Sequence, residues 1–137
     1  MSLVLDASAT LAWIYLDETN EAAAEIFQRV AASGAWVPSL WRIEIANSLQ
    51  IGVRRGRIHP SFRDNALQDL SQLGITVDSE TDAHAWAATL PLADRFGLTV
   101  YDAAYLELAL RRALPLASLD KALCTAAAVS GVTVLGA

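Results

Sequence analysis

The chain has 137 residues, 54% of them hydrophobic and 18% charged, with a net charge of −5. That length suits one domain, and a chain of this size buries roughly two thirds of the surface its unfolded form exposes, so a core forms without staples. Disorder, collagen-like repetition and a membrane span are excluded: the apolar content is too high, the 7 Gly and 4 Pro are scattered, and no apolar run nears the ~20 residues of a spanning helix. The single cysteine, Cys124, cannot build a disulfide framework. The chain meets Asp6 after Leu3-Val4-Leu5 with no charged leader, which does not read as a signal peptide, so a reducing cytoplasm is expected.

Residues 2–5 read as a short buried strand ending at Asp6, followed by helix-compatible spacing over 8–16. Asn20 opens a helix to about residue 32, stopped by Gly34. Residues 35–37 form a second strand closed by Pro38, and Ser39 caps a helix over 40–55 that ends at Gly56. Pro60 suits the first turn of a helix to residue 73, stopped by Gly74, and 75–77 form a third strand. Thr81 or Asp82 opens a helix that ends before Gly97 and that Pro91 should kink or divide. A helix over 100–112, a strand over 114–118, a helix over 119–129 and a strand over 132–135 complete the chain. Short apolar strands alternating with helices specify an α/β fold: a parallel five-stranded sheet covered on both faces, within one domain spanning 1–137. The two helices between strands two and three are placed to project as a hairpin.

Ligands of such sheets bind beyond the carboxyl ends of the strands. Four acids fall at that rim: Asp6 after strand one, Glu44 one turn into the helix after strand two, Asp102 in the first turn of the helix before strand four, and Asp120 after strand four. Each has a local account too. Asp6 and Asp120 suit helix N-caps, Thr99 with Asp102 forms a capping box, and Glu44 shares a helical face with Asn47, Ser48 and Arg55. Together, four carboxylates repel one another, and burial raises their pKa values unless a cation joins them. A hard divalent ion such as Mg²⁺ does so, polarising a phosphodiester and activating water for in-line attack. Setting these four aside leaves eleven acids against ten bases, so the acidic total does not exclude a nucleic-acid substrate.

The segments Leu3-Val4-Leu5-Asp6-Ala7-Ser8, Glu44-Ile45-Ala46-Asn47, Val100-Tyr101-Asp102-Ala103-Ala104-Tyr105-Leu106, Leu116-Ala117-Ser118-Leu119-Asp120-Lys121 and Gly131-Val132-Thr133-Val134 resemble, in order and across the chain, the acidic motifs of PIN domains. The small size resembles the VapC ribonuclease toxins of VapBC toxin–antitoxin pairs. The resemblance implies a three-layer α/β/α sandwich with strand order 3-2-1-4-5 and Mg²⁺- or Mn²⁺-dependent endoribonuclease activity. Asp6 and Asp102 are then metal ligands, and Glu44 and Asp120 join them directly or through water. Ser8, Asn47 and Ser118 support the site; Ser118 stands where Thr is commoner. A homodimer and a cognate antitoxin are implied as partners.

Nine of the ten bases are Arg, and Arg54, Arg55 and Arg57 follow the helix of Glu44, placed to line an RNA path. Trp13, Trp36, Trp41 and Trp86 read as core or dimer contacts. The elements with Trp13, Trp36 and Trp41 are expected to leave an apolar face uncovered, and Trp41 is the best candidate to stack on a base. His59 and His84 lack zinc-ligand spacing, Cys124 is a packing residue, and there is no phosphate loop. Two rivals of other classes are a binding-only PIN fold, which loss of an acid would signal, and a phosphoacceptor domain, for which Asp78 after strand three speaks. A PIN nuclease that processes RNA without being a toxin is a further alternative.

Overall fold

In the computed structural model, which describes residues 2–136, five short strands form one parallel sheet: β1 (Val4–Leu5), β2 (Ala35–Val37), β3 (Ile75–Val77), β4 (Leu116–Ser118) and β5 (Val134–Gly136). Their order is β3-β2-β1-β4-β5, and helices cover the sheet. Val4 pairs with both Trp36 and Leu116, so β1 is the central strand. Leu3, Val4, Leu5, Leu116 and Ala117 are fully buried, which is why these strands show no alternation.

Helix α1 (Ala7–Ile14) leaves β1 with Asp6 as its N-cap and is followed by a 3₁₀ turn, Leu16–Glu18. Helix α2 (Glu21–Ser33) is capped by Asn20, whose side chain accepts from the Ala23 amide, and ends at Gly34 in positive φ. Helices α3 (Trp41–Arg54) and α4 (Pro60–Ser71) pack together as the expected hairpin. Ser39 does not cap α3: the flanking residue is Leu40, without a side-chain bond, and the Ser39 amide instead donates to Thr81 Oγ1. That contact crosses from β2 to the segment after β3 and outcompetes local capping.

After β3 the chain forms α5 (Thr81–His84), a π-helical stretch (Ala85–Thr89) and α6 (Leu90–Phe96). The division falls just before Pro91. Proline has no N–H to offer the carbonyl one turn back, and its ring crowds that carbonyl, so the helix widens there. Helix α7 (Val100–Arg112), capped by Thr99, is buried continuously from Ala103 to Ala109. Helix α8 (Lys121–Val129) follows β4 with Asp120 as N-cap. Among the described residues no helix is long and apolar enough to cross a membrane.

One buried ion cluster fastens the outer half of the sheet. Arg111 donates to both carboxylate oxygens of Asp78, at 3.1 and 2.7 Å, and to Glu107. Asp78 is fully buried and Glu107 only 5% exposed. Burial pushes the Asp78 carboxyl up, but hydrogen bonds from Arg111 and Thr81 and the Arg111 charge carry it below its ordinary value. The same Arg111 contacts hold the guanidinium above its own ordinary range.

Candidate active site

The site grows from the adjacent ends of β1 and β4. The Asp6 amide donates to the Ala117 carbonyl at 3.1 Å, extending the ladder one residue and fixing the Asp6 backbone. The Asp6 side chain then turns into a polar seam between the two strand ends. Oδ1 accepts from the Ala9 amide (3.0 Å) and Ser8 Oγ (2.7 Å), and Oδ2 accepts from Ser118 Oγ (2.6 Å). Both hydroxyls are used twice: Ser8 Oγ accepts from the Leu119 amide and Ser118 Oγ from the Asp120 amide, each at 3.0 Å. Ser8 and Ser118 thus tie the turn carrying Asp6 to the turn carrying Asp120. Asp120 caps α8, its Oδ1 accepting from the Leu123 amide at 3.0 Å. The capping accounts of Asp6 and Asp120 therefore hold alongside the site geometry.

Asp102 and Glu44 arrive on helices. The Asp102 amide donates to Thr99 Oγ1 at 3.1 Å, as the capping box requires. Glu44, on α3, is half-buried and accepts a 2.5 Å hydrogen bond from the Tyr105 hydroxyl. Tyr105 was missed in the sequence because an aromatic among Ala and Leu reads as core. Its place one turn after Asp102, on the same helical face, was the available signal. Asn47 is exposed on α3.

Charge links the four acids in a chain. Burial lifts the Asp6 carboxyl to about 6; the Ser118, Ala9 and Ser8 hydrogen bonds oppose this and the Asp120 charge adds to it. Burial raises Asp102 as well, reinforced by Asp120, and it raises Glu44, reinforced by Asp102 against the Tyr105 bond. No ion pair reaches any of the four among the described residues. They are neighbours in charge more than in direct ligand geometry: among the described residues, no three His, Cys, Asp or Glu stand close enough to hold an ion. The donor set is nevertheless all hard oxygen with no ion-paired base among the described residues, a chemistry that fits Mg²⁺ or Mn²⁺.

A family model described as "PIN domain" matches residues 3–129. The chain belongs to the PIN-domain family. It is 32% identical over 123 residues to Ribonuclease VapC3 of Pyrobaculum aerophilum, covering 90% of this chain and 92% of that one. Its fold is similar to the crystal structure of PAE2754 from Pyrobaculum aerophilum, with a TM-score of 0.71, 24% identity and coverage of 98% of this chain and 84% of that one. It is also similar to the crystal structure of FitAcB from Neisseria gonorrhoeae, with a TM-score of 0.65, 19% identity and coverage of 99% and 97%. At those identities the two structures establish the shared fold.

In this PIN domain the arginines after α3 stand about three helical turns from Glu44. Eleven residues of helix separate Glu44 from Arg55, about 16 Å at 1.5 Å per residue. Arg57 is engaged: it pairs with Asp17 and Glu18 and lies 3.8 Å over the Tyr15 ring. Arg54 and Arg55 are exposed. The tryptophans correct one expectation. Trp41 is 4% exposed and donates to Thr10 Oγ1, so it is closed to a base. Trp13 donates to the Ala23 carbonyl and stands edge-on to Phe27, and Trp36 lies under Arg112. These three do not form one open face; the exposed indole is Trp86, at 91%. Cys124 is buried, as packing predicts.

Proposed function

We propose that this chain is, as a single PIN domain, a metal-dependent endoribonuclease and the toxin of a toxin–antitoxin pair, acting in the cytoplasm. The observation that carries the reading is the set of four uncompensated carboxylates around the Ser8–Asp6–Ser118 seam, in a chain similar to a protein named a ribonuclease. Asp6 and Asp102 would hold Mg²⁺ or Mn²⁺, with Glu44 and Asp120 joining directly or through water. When bound, such an ion polarises the scissile phosphate and makes a bound water nucleophilic for in-line hydrolysis.

The protein supplies position. Ser8 and Ser118 fix both oxygens of Asp6, and Tyr105 aims Glu44. Ser8 and Ser118 therefore act behind the ligands, and Asn47, exposed one turn beyond Glu44, is placed to meet substrate or bound water. Arg54 and Arg55 are available to a longer RNA passing along α3. The partner proposed beside RNA is a cognate antitoxin. A homodimer is supported by the exposed apolar side chains Ile43, Trp86, Tyr101 and Val129. The phosphoacceptor alternative loses its one supporting residue, since Asp78 is buried and bound by Arg111.

The test is cleavage of single-stranded or loop RNA by purified protein free of contaminating nuclease. Cleavage that needs Mg²⁺ or Mn²⁺ and stops on chelation is the expected result. No cleavage of any RNA with either metal would reject the reading.

A further inference from the structure

An acidic pocket repels the phosphates on either side of the one it cuts, so a bound strand needs cations close by. Among the described residues, Arg57, Arg63, Arg111 and Arg112 are paired with acids. Arg29 is exposed on α2, and Arg54 and Arg55 stand at the far end of α3. Three bases remain, all at the acid end of the sheet: Arg42 in the first turn of α3, Arg95 in the last turn of α6 and Lys121 in the first turn of α8. None of the three forms an ion pair among the described residues.

Two of the three flank one cavity of about 450 Å³, lined by Phe96, Lys121, Ala122, Thr125 and Ala126. The Arg95 guanidinium is held 4.8 Å over the Phe96 ring, which places its charge at that wall. Phe96, on one wall, stands six residues before Asp102 in the chain, and Lys121, on the other, directly follows Asp120. The cavity combines an aromatic wall, an alanine and threonine face of α8 and the unpaired Lys121, with Arg95 beside it on Phe96. That combination suits a group that is flat and apolar at one end and anionic at the other.

We propose that this cavity binds the RNA nucleotide next to the scissile phosphate, with its base against Phe96 and its phosphate held by Lys121 and Arg95. The assignment rests on the ribonuclease reading above. Stacking and charge need no base-edge contact, so this subsite orients the strand without selecting a sequence.

The experiment uses the full chain and a fluorescent hexanucleotide RNA, in cleavable form and in a phosphorodithioate form, which keeps the backbone charge and resists hydrolysis assisted by a hard metal ion. Binding is read by anisotropy across a salt series. The double variant Lys121→Gln/Arg95→Gln is compared with Arg29→Gln, a control on α2. The double variant should bind the uncleavable RNA at least about tenfold more weakly. Its plot of log affinity against log salt should be shallower by about 1.4, for two lost phosphate contacts on a single strand. With the cleavable RNA, KM should rise while kcat stays within about threefold. Phe96→Leu should cost about fivefold or more in binding, with an unchanged salt slope. The control should match the parent chain. A double variant with the parent's affinity and slope overturns the assignment. If the parent binds the hexanucleotide but cuts no RNA, and the double variant loses that binding, the cavity is a single-stranded RNA site, and the ribonuclease reading falls together with the placement beside a scissile phosphate.

Discussion

Tyr105 and Glu44 are 61 positions apart, yet the Tyr105 hydroxyl donates to Glu44 Oε1 at 2.5 Å and joins the helices that carry the second and third acids. Tyr105 is only 1% exposed, so its ring is held by the core while its hydroxyl reaches the site. Core packing thereby sets where a surface-facing carboxylate points. Tyr105→Phe keeps the ring and removes the bond. It should cost about 1 kcal/mol of stability. Metal affinity, measured by titration calorimetry with Mn²⁺, should weaken about tenfold, as for other partners that orient a ligand.

Asp6 and Asp102 are the proposed direct ligands. Asp6→Asn and Asp102→Asn should each lower RNA cleavage on the order of a hundredfold or more, as the loss of a key charge-stabilising group does. Circular dichroism should show both variants folded, since the side-chain amide oxygen that Asp6→Asn leaves in place can still cap α1. Near-normal cleavage by both would remove these residues from the site.

The carboxyl of Asp6 lies near 6 in the fold against 3.8 as the ordinary value, so between those values the folded chain holds the extra proton. In metal-free protein, stability should then fall as pH rises from about 4 through 6 and level off above. The full cost is about 3 kcal/mol. Glu44 and Asp102 are shifted the same way and add to the trend. Asp78, held below its ordinary value, opposes it only in more acidic solution. Urea denaturation at pH 5 and pH 8 checks the sign, and Asp6→Asn should flatten the difference. Mn²⁺ should stabilise more at pH 8 than at pH 5.

Arg111→Ala leaves two buried carboxylates, Asp78 and Glu107, without their guanidinium. Breaking a buried pair from one side costs about 3–5 kcal/mol. The variant should melt far below the parent chain in a thermal scan, while Arg54→Ala, on an exposed side chain, should not.

The proposed homodimer should appear as twice the chain mass in light scattering at micromolar concentration. Trp86→Glu, replacing the most exposed aromatic side chain, should shift the equilibrium toward monomer without lowering secondary-structure content. A parent chain that is monomeric throughout the concentration range would reject the dimer.

Much of the site could be read from local pattern. Short apolar strands end in residues that cannot stay buried alone, and their neighbours supply hydroxyls at fixed offsets: Ser8 two residues after Asp6, Ser118 two before Asp120. Asn20, Thr99 and Gly34 ended or began helices where expected, because a cap is a contact within four residues. The failures are contacts between distant segments. Ser39 gives its amide to Thr81, and Trp41 is drawn inward to Thr10. No periodicity in one segment encodes a partner in another. Tyr105 shares that origin: its hydroxyl finds Glu44 only once α3 and α7 are packed.

The π-helical stretch Ala85–Thr89 makes chain length a structural variable at one point of the fold. A π turn holds about one residue more than an α turn. That extra residue is absorbed within the turn, so the segments on either side keep the phase they would have across an α turn, and Thr81 still reaches Asp78 and the Ser39 amide. Deleting one alanine there should therefore be tolerated, whereas deleting a residue from the continuous α-helix of α7 would turn what precedes it by about 100°.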